Sequence, residues 1–294
     1  MIHYATVVNV ADEANTVVDG YLSMEGGVDS GFVPSLLGPN QNSWAINTTC
    51  RGGYLRPRPG FKYREITYPD SETETNATEG LFQGAGSYIA DNGDAFLAYS
   101  VSGRIFTVEI GSFILTDISI AGDLNSATKP HAWFQQAENT LVIQNETQAP
   151  LFWDGTSMTR SVVAKQVPVG GPMAYLKGRL WVARDTEFFG GDLVNSYPAL
   201  GRKSVLQFEE NTFLAEGGAF AAKGKVTGLA VAANIDTQLG DGELMIFTRD
   251  TAYAFNAPAD RTLWKNLRYP IQRIALLHAG SLSQECIVNV NADL

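Results

Sequence analysis

An all-β fold of the propeller type is predicted by three features: short apolar runs that recur at a near-constant spacing, turn residues between them, and no convincing amphipathic helix. The runs begin near Leu81, His131, Met173, Lys225 and Arg273. They mark units of roughly 42–52 residues, the length a three- to four-stranded blade needs. Within each unit a second run follows a polar turn, at 95–99, 141–144, 180–183, 244–247 and 287–290. A third follows at 105–110, 151–153, 187–189 and 252–255. Asp91-Asn-Gly-Asp94, Ser102-Gly103, Asp154-Gly155, Lys177-Gly178 and Gly240-Asp-Gly242 supply the turns.

The physical reason for stacking is that one small sheet cannot bury both its faces. Neighbouring blades bury them, and alternate apolar positions such as Leu141, Ile143, Trp181 and Ala183 provide the packing. A two-sheet β-sandwich is the alternative, since it also has many short strands. The recurrence favours the propeller. Residues 213–223 look partly helical, but Gly217-Gly218 interrupts them.

Upstream of the repeats the chain changes character. Residues 1–22 fit an edge strand or a short helix, and 23–39 read as an irregular, Gly/Pro-rich segment. Residues 40–61 gather Arg51, Arg56 and Arg58 with Trp44, Tyr54 and Phe61 around the Gly52-Gly53 turn. Pro57 and Pro59 push the residues before them into extended geometry, so 55–61 is expected to be a stiff strap. Arginine forks on such a strap suit docking to carboxylates, within the chain or between subunits. Residues 67–79 are acidic and without periodicity, and are expected to be a linker or exposed loop. The expected organisation is an arm and strap at 1–66, the linker at 67–79, and blades at 80–294. The last unit is expected to be incomplete, because 294 falls where a second strand should turn into a third.

Composition narrows the function classes. With 29 Gly, 12 Pro, 18% charged and 45% hydrophobic residues, the 294-residue chain is that of an ordered, turn-rich protein. A net charge of −10 without a dense Lys/Arg cluster speaks against non-specific nucleic-acid binding. Cys50 and Cys286 have no Cys-x-x-Cys spacing and make no disulfide framework. The first twelve residues lack the basic and apolar parts of a signal peptide, and no apolar run approaches the roughly 20 residues of a membrane span.

Chemistry is poorly represented. His3, His131 and His278 have no ligand-like neighbours at metal spacing. The Asp91–Asp94 turn and the oxygen-rich stretch 236–243 lack EF-hand spacing. No nucleophile elbow, Walker A loop or dinucleotide fingerprint occurs. Asp117, Asp154, Asp185 and Asp250 follow or end strands and could face a channel, although such aspartates are more often turn residues. No catalytic residue, metal or cofactor is therefore expected. Aromatics are dense between 131 and 189, mostly as blade core. Phe188 and Phe189 are adjacent, so a strand must point them to opposite faces and could offer one to an interface.

Trp44-Ala-Ile-Asn-Thr-Thr-Cys-Arg-Gly-Gly-Tyr54 followed by Arg56-Pro-Arg-Pro-Gly-Phe61 resembles the opening of β-propeller virion proteins of short-tailed bacteriophages, those of the tail nozzle or hub. The likeness continues through Gly178-Arg-Leu-Trp-Val-Ala183, Glu210-Asn-Thr-Phe-Leu-Ala215 and Asn256-Ala-Pro-Ala-Asp-Arg261. The resemblance implies a structural virion subunit, made in the host cytoplasm, that forms a six-fold homo-oligomeric ring around the DNA path. It also implies docking on tail adaptor proteins, with DNA passing through unbound. Trp44, Arg51, Tyr54, Arg56, Arg58, Phe61, Phe188 and Phe189 are then the interface candidates. A carbohydrate-binding or glycoside-processing propeller and a peptide-binding scaffold are the alternatives, because propellers host unrelated functions.

Overall fold

The computed structural model describes residues 27–28, 34–37, 41–42, 48–49, 56–57, 63–162, 165–209, 219–232, 242–255, 271–273 and 280–288. The chain divides into two compact units, Met1–Arg64 and Glu65–Leu294.

In the first unit β1 (Gly27–Val28) pairs in parallel with β2 (Gln41–Asn42), and β3 (Thr48–Thr49) pairs antiparallel with β4 (Arg56–Pro57). Arg56 and Pro57 are extended, as a residue preceding proline and a proline require. The rest of the 55–61 strap lies outside the described residues.

The second unit opens with a correction. Residues 71–78, expected within a loop, form helix α1 (Ser71–Thr78). Its signal is a cap rather than an apolar stripe. The Asp70 carboxylate accepts the Thr73 amide at 2.7 Å, and Glu72 and Glu74 sit in the first turn, where the helix dipole favours them. Ala77 is the buried contact. The Thr73 hydrogen bonds hold the Asp70 carboxyl below its ordinary value. A carboxylate depressed in the folded state stabilises above its unfolded value and loses that effect as pH falls through the folded one. Asp70→Ala is therefore expected to lower the melting temperature at pH 7. The gap to wild type should close below the ordinary aspartate value of about 3.9. A gap independent of pH would rule out the carboxylate as its origin.

Among the described residues four antiparallel sheets follow, each of four strands. Blade 1 holds β5 (Phe82–Ile89), β6 (Ala95–Val101), β7 (Arg104–Glu109) and β8 (Leu115–Asp117). Blade 2 holds β9 (Trp133–Ala137), β10 (Thr140–Gln144), β11 (Leu151–Trp153) and β12 (Met158–Arg160). Blade 3 holds β13 (Met173–Leu176), β14 (Arg179–Arg184), β15 (Glu187–Gly190) and β16 (Ala219–Ala221). Blade 4 holds β17 (Val226–Val231), β18 (Leu244–Thr248), β19 (Ala252–Phe255) and β20 (Ile271–Arg273). The sheets are arranged as the blades of a β-propeller, not as the two facing sheets of a sandwich. The inner strands meet in sequence, β5 against β9, β9 against β13 and β13 against β17.

Alternation along the middle strands builds the cores between blades. Tyr88, Ala98 and Ile105 of blade 1 pack on Leu141, Ile143, Leu151 and Trp153 of blade 2. The opposite face of blade 2, with Ala137, Val142 and Phe152, packs on Met173, Leu180 and Val182 of blade 3. Ala174, Trp181, Ala183 and Phe188 then pack on Leu229, Leu244, Ile246 and Phe255 of blade 4.

Glutamines tie neighbouring blades by imitating a strand's amide. Gln136 of β9 accepts from the Ile89 amide at 2.9 Å and donates to the Ile89 carbonyl at 2.8 Å. The buried Gln83 amide is fully satisfied. It donates to the carbonyls of Ser126 and Lys129 and accepts from Ser100 and the Gly103 amide.

Two further expectations are corrected. The fifth run, near Arg273, is not the opening of a new unit, since Arg273 ends β20, the outer strand of blade 4. Residues 287–288, expected to begin a strand, follow a 3-10 turn at Gln284–Cys286 and belong to none. Within 213–223, where Gly217-Gly218 argues against a continuous helix, residues 219–221 form β16 and complete blade 3 beside Glu187–Phe189. Among the described residues no helix is long and apolar enough to cross a membrane.

Candidate functional site

The same pattern recurs in the second strand of every blade: Leu97-x-Tyr99, Leu141-x-Ile143, Leu180-x-Val182 and Leu244-x-Ile246. In blades 2, 3 and 4 all six of these side chains are 0% exposed, because the preceding sheet covers them. Leu97 is 43% exposed. Since Ala98 points to blade 2, Leu97 and Tyr99 must point to the opposite face. Cross-strand pairing puts Ala85, Ser87 and Ile89 of β5 there too, beside Tyr99, Leu97 and Ala95.

The outer half of this face is covered. Val101, Phe106, Val108 and Leu115 lie beneath Ile66, Tyr68 and Ala77 of α1. Among the described residues the remainder is not: on β5 Phe82 is 60% exposed and Ile89 58%, and just past the end of β7 Ile110 is 54% exposed. The charged pair at its outer edge, Arg104 and Asp117, is self-neutralised at 3.1 Å. Burial, with Tyr68 nearby, pushes Tyr99 up to about 12, so it carries no charge at ordinary pH. The result is an apolar, uncharged strip of blade face built like those that other blades cover.

A second feature lies at the hairpin turns. The connection from β15 to β16 carries a 3-10 helix, Gly201–Leu206, whose Arg202 forks onto Asp91 in the β5–β6 turn at 2.8–2.9 Å. Its Nε donates to Glu138 in the β9–β10 turn at 3.2 Å, and the Tyr175 hydroxyl donates to the other oxygen of Glu138. Lys203 reaches Asp154 at 3.2 Å. Hydrogen bonding to Asp91 raises Arg202 above its ordinary value. Burial pushes Asp154 up, but hydrogen bonds from Ser157, Lys203 and Thr156 outweigh it and leave the carboxyl lowered. Two carboxylates thus converge, but on an arginine that engages both. The geometry is that of a clasp across the turns of blades 1 and 2.

The aspartates named from the sequence take turn and edge roles. Asp117 pairs with Arg104 and accepts the Ser119 amide, and Asp154 accepts the amides of Thr156 and Ser157. Asp185 and Asp250 are exposed, in the β14–β15 and β18–β19 connections. The Asp91–Asp94 stretch is a hairpin turn closed by Asn92 and Asp94. Among the described residues no three His, Cys, Asp or Glu side chains gather as a metal ion requires.

Of the interface candidates, Trp44, Arg51, Tyr54, Arg58 and Phe61 lie outside the described residues, as does the Arg56 side chain. Phe188 and Phe189 do point to opposite faces. Phe188 is corrected to a core residue: it is 0% exposed, stacked on Phe220 at 5.3 Å between blades 3 and 4. Phe189 is partly exposed, with the Arg184 guanidinium 5.0 Å from its ring centre. Sequence reasoning missed Leu97, whose own pattern does not distinguish it from its buried counterparts. It also missed Arg202, whose partners lie far away in the chain.

No family model matches this chain, and no curated protein matches it in sequence. Among solved structures it is similar to BBS1N, seen in complex with ARL6DN and soaked with lead, at a TM-score of 0.40 and 10% identity. The match covers 69% of this chain and 56% of that one, so the chain spans about half of that neighbour's length. A likeness at this level carries nothing about function.

Proposed function

We propose that this chain is a structural propeller that works by self-assembly, as a nozzle or hub subunit in the tail of a short-tailed bacteriophage. The observation that supports assembly is the uncovered face of blade 1, which keeps the leucine pattern that the other blades bury completely. The virion assignment rests on the resemblance carried by residues 44–61, 178–183, 210–215 and 256–261. In this reading copies of the chain form a ring around the DNA path and dock on adaptor proteins. The acidic balance of −10 lets DNA pass without sticking.

Light scattering of the purified chain, followed by electron-microscope class averages, tests the proposal. A closed ring with a central pore is expected. A monomer at every concentration would overturn the self-assembly reading, and a glycan array would then weigh the carbohydrate-handling alternative.

A further inference from the structure

Residues 280–288 run across the inner strands of three blades, close to where those strands begin. At blade 4 the Ser281 amide donates to the Thr248 carbonyl at 2.9 Å, and Thr227 of β17 donates to the Ser281 carbonyl at 2.7 Å. Ile287 rests over Gly228, where an added Cβ would lie 2.4 Å from the Ile287 Cδ1 and 3.2 Å from the Gln284 Cα. At blade 3 the Gln284 side chain accepts from the Met173 amide at 3.1 Å and donates to the Met173 carbonyl at 2.7 Å. At blade 2 Glu285 meets the His131 Nε2 at 2.7 Å, and that imidazole leans on Trp133 with ring centres 4.2 Å apart. Gln284, Glu285 and Ile287 meet the blades through their side chains, and Ser281 meets them through its backbone, its hydroxyl donating to the Ser283 carbonyl within the segment. Leu282, Cys286 and Val288 are exposed.

We propose that the region around the start of β9, β13 and β17 is a peptide-binding groove, occupied in this structure by the chain's own residues 280–288. Three observations carry this. The segment adds polar hooks and one apolar contact rather than core, so it can leave without unfolding the blades. Its recognition uses the groups that a peptide supplies, a side-chain amide bridging a strand's N–H and C=O and a carboxylate on an imidazole. The groove is also shaped for it, because β17 carries glycine where Ile287 sits. The ligand class is a peptide of the pattern Gln-Glu-x-Ile, held at its third residue before the glutamine by backbone hydrogen bonds alone. Tethering gives the resident segment an effective concentration of about millimolar, so a free peptide competes only when the resident hold is weakened.

The test uses the full chain carrying Gln284→Ala and Glu285→Ala, and a fluorescein-labelled peptide of residues 280–288 with Cys286→Ser. Anisotropy is expected to show binding at least about ten-fold tighter to the variant than to wild type. Adding His131→Ala to the variant, or using a peptide that lacks the glutamine and glutamate, should abolish it. Equal binding of both peptides, or no binding to a variant with unchanged circular dichroism and melting, overturns the proposal. Unfolding of the variant also overturns it, since residues 280–288 would then be core and not ligand.

Discussion

Phe188→Ala is expected to destabilise the blade unit by about 3–5 kcal/mol, the usual cost of deleting a fully buried phenylalanine. The side chain sits among Trp181, Phe220 and Phe255, with ring centres 6.3, 5.3 and 5.4 Å away. Phe255 belongs to blade 4 and the others to blade 3, so the cavity would open at the seam between two sheets. Neither sheet can close it alone, because each is pinned by its own ladder of backbone hydrogen bonds. Phe189→Ala, on the opposite face of the same strand, should cost far less, because that ring is partly exposed and loses mainly its contact with Arg184. Denaturant midpoints for the two variants would settle the matter. Similar losses would mean that Phe188 is not a seam residue.

Gly84→Ala should be nearly as damaging, at about 2–5 kcal/mol, through overpacking and backbone strain together. Blades 1 and 2 approach so closely at β5 and β9 that a Cβ on Gly84 would lie 2.1 Å from the Ala132 carbonyl oxygen, at a φ of +156°. That oxygen belongs to backbone held in place by the Ala132 amide, which donates to Gln83 at 2.8 Å. The contact can therefore be relieved only by parting the blades. Gly93→Ala is the control: its φ is also positive, at +91°, but nothing lies within 4 Å. Only the backbone strain remains there, and the loss should be about 1 kcal/mol. Equal melting temperatures for the two variants would rule out close blade approach as the reason for Gly84.

The sequence made the inner three strands of each blade legible because they are apolar runs bounded by turns, and all but Leu151–Trp153 are long enough to alternate. The outer strands Leu115–Asp117, Met158–Arg160, Ala219–Ala221 and Ile271–Arg273 have three residues each, too few for a period. Their absence from the pattern made the run at Arg273 look like a new blade. Helix α1 escaped because its apolar content is the single buried Ala77, while the Asp70 cap and two early glutamates specify it. The Arg202–Asp91 clasp joins residues 111 positions apart and leaves no local trace. Leu97 teaches something different. Its strand reads Leu-Ala-Tyr where buried counterparts read Leu-Val-Ile and Leu-Met-Ile, so the sequence correctly predicts a face that suits burial. Whether a sheet covers it depends on neighbours that no local pattern encodes.

The role of that face can be measured by comparing the molar mass of wild type and Leu97→Glu in solution by light scattering. An exposed position on the monomer away from special features tolerates substitution within about 0.5 kcal/mol, so the variant should keep its circular dichroism and melt cooperatively, losing only the stabilisation that assembly adds. A glutamate placed in a dry sheet-to-sheet contact cannot be tolerated in the same way. Assembly through blade 1 predicts an oligomeric wild type and a monomeric, fully folded variant. A variant that assembles to the wild-type mass would contradict it.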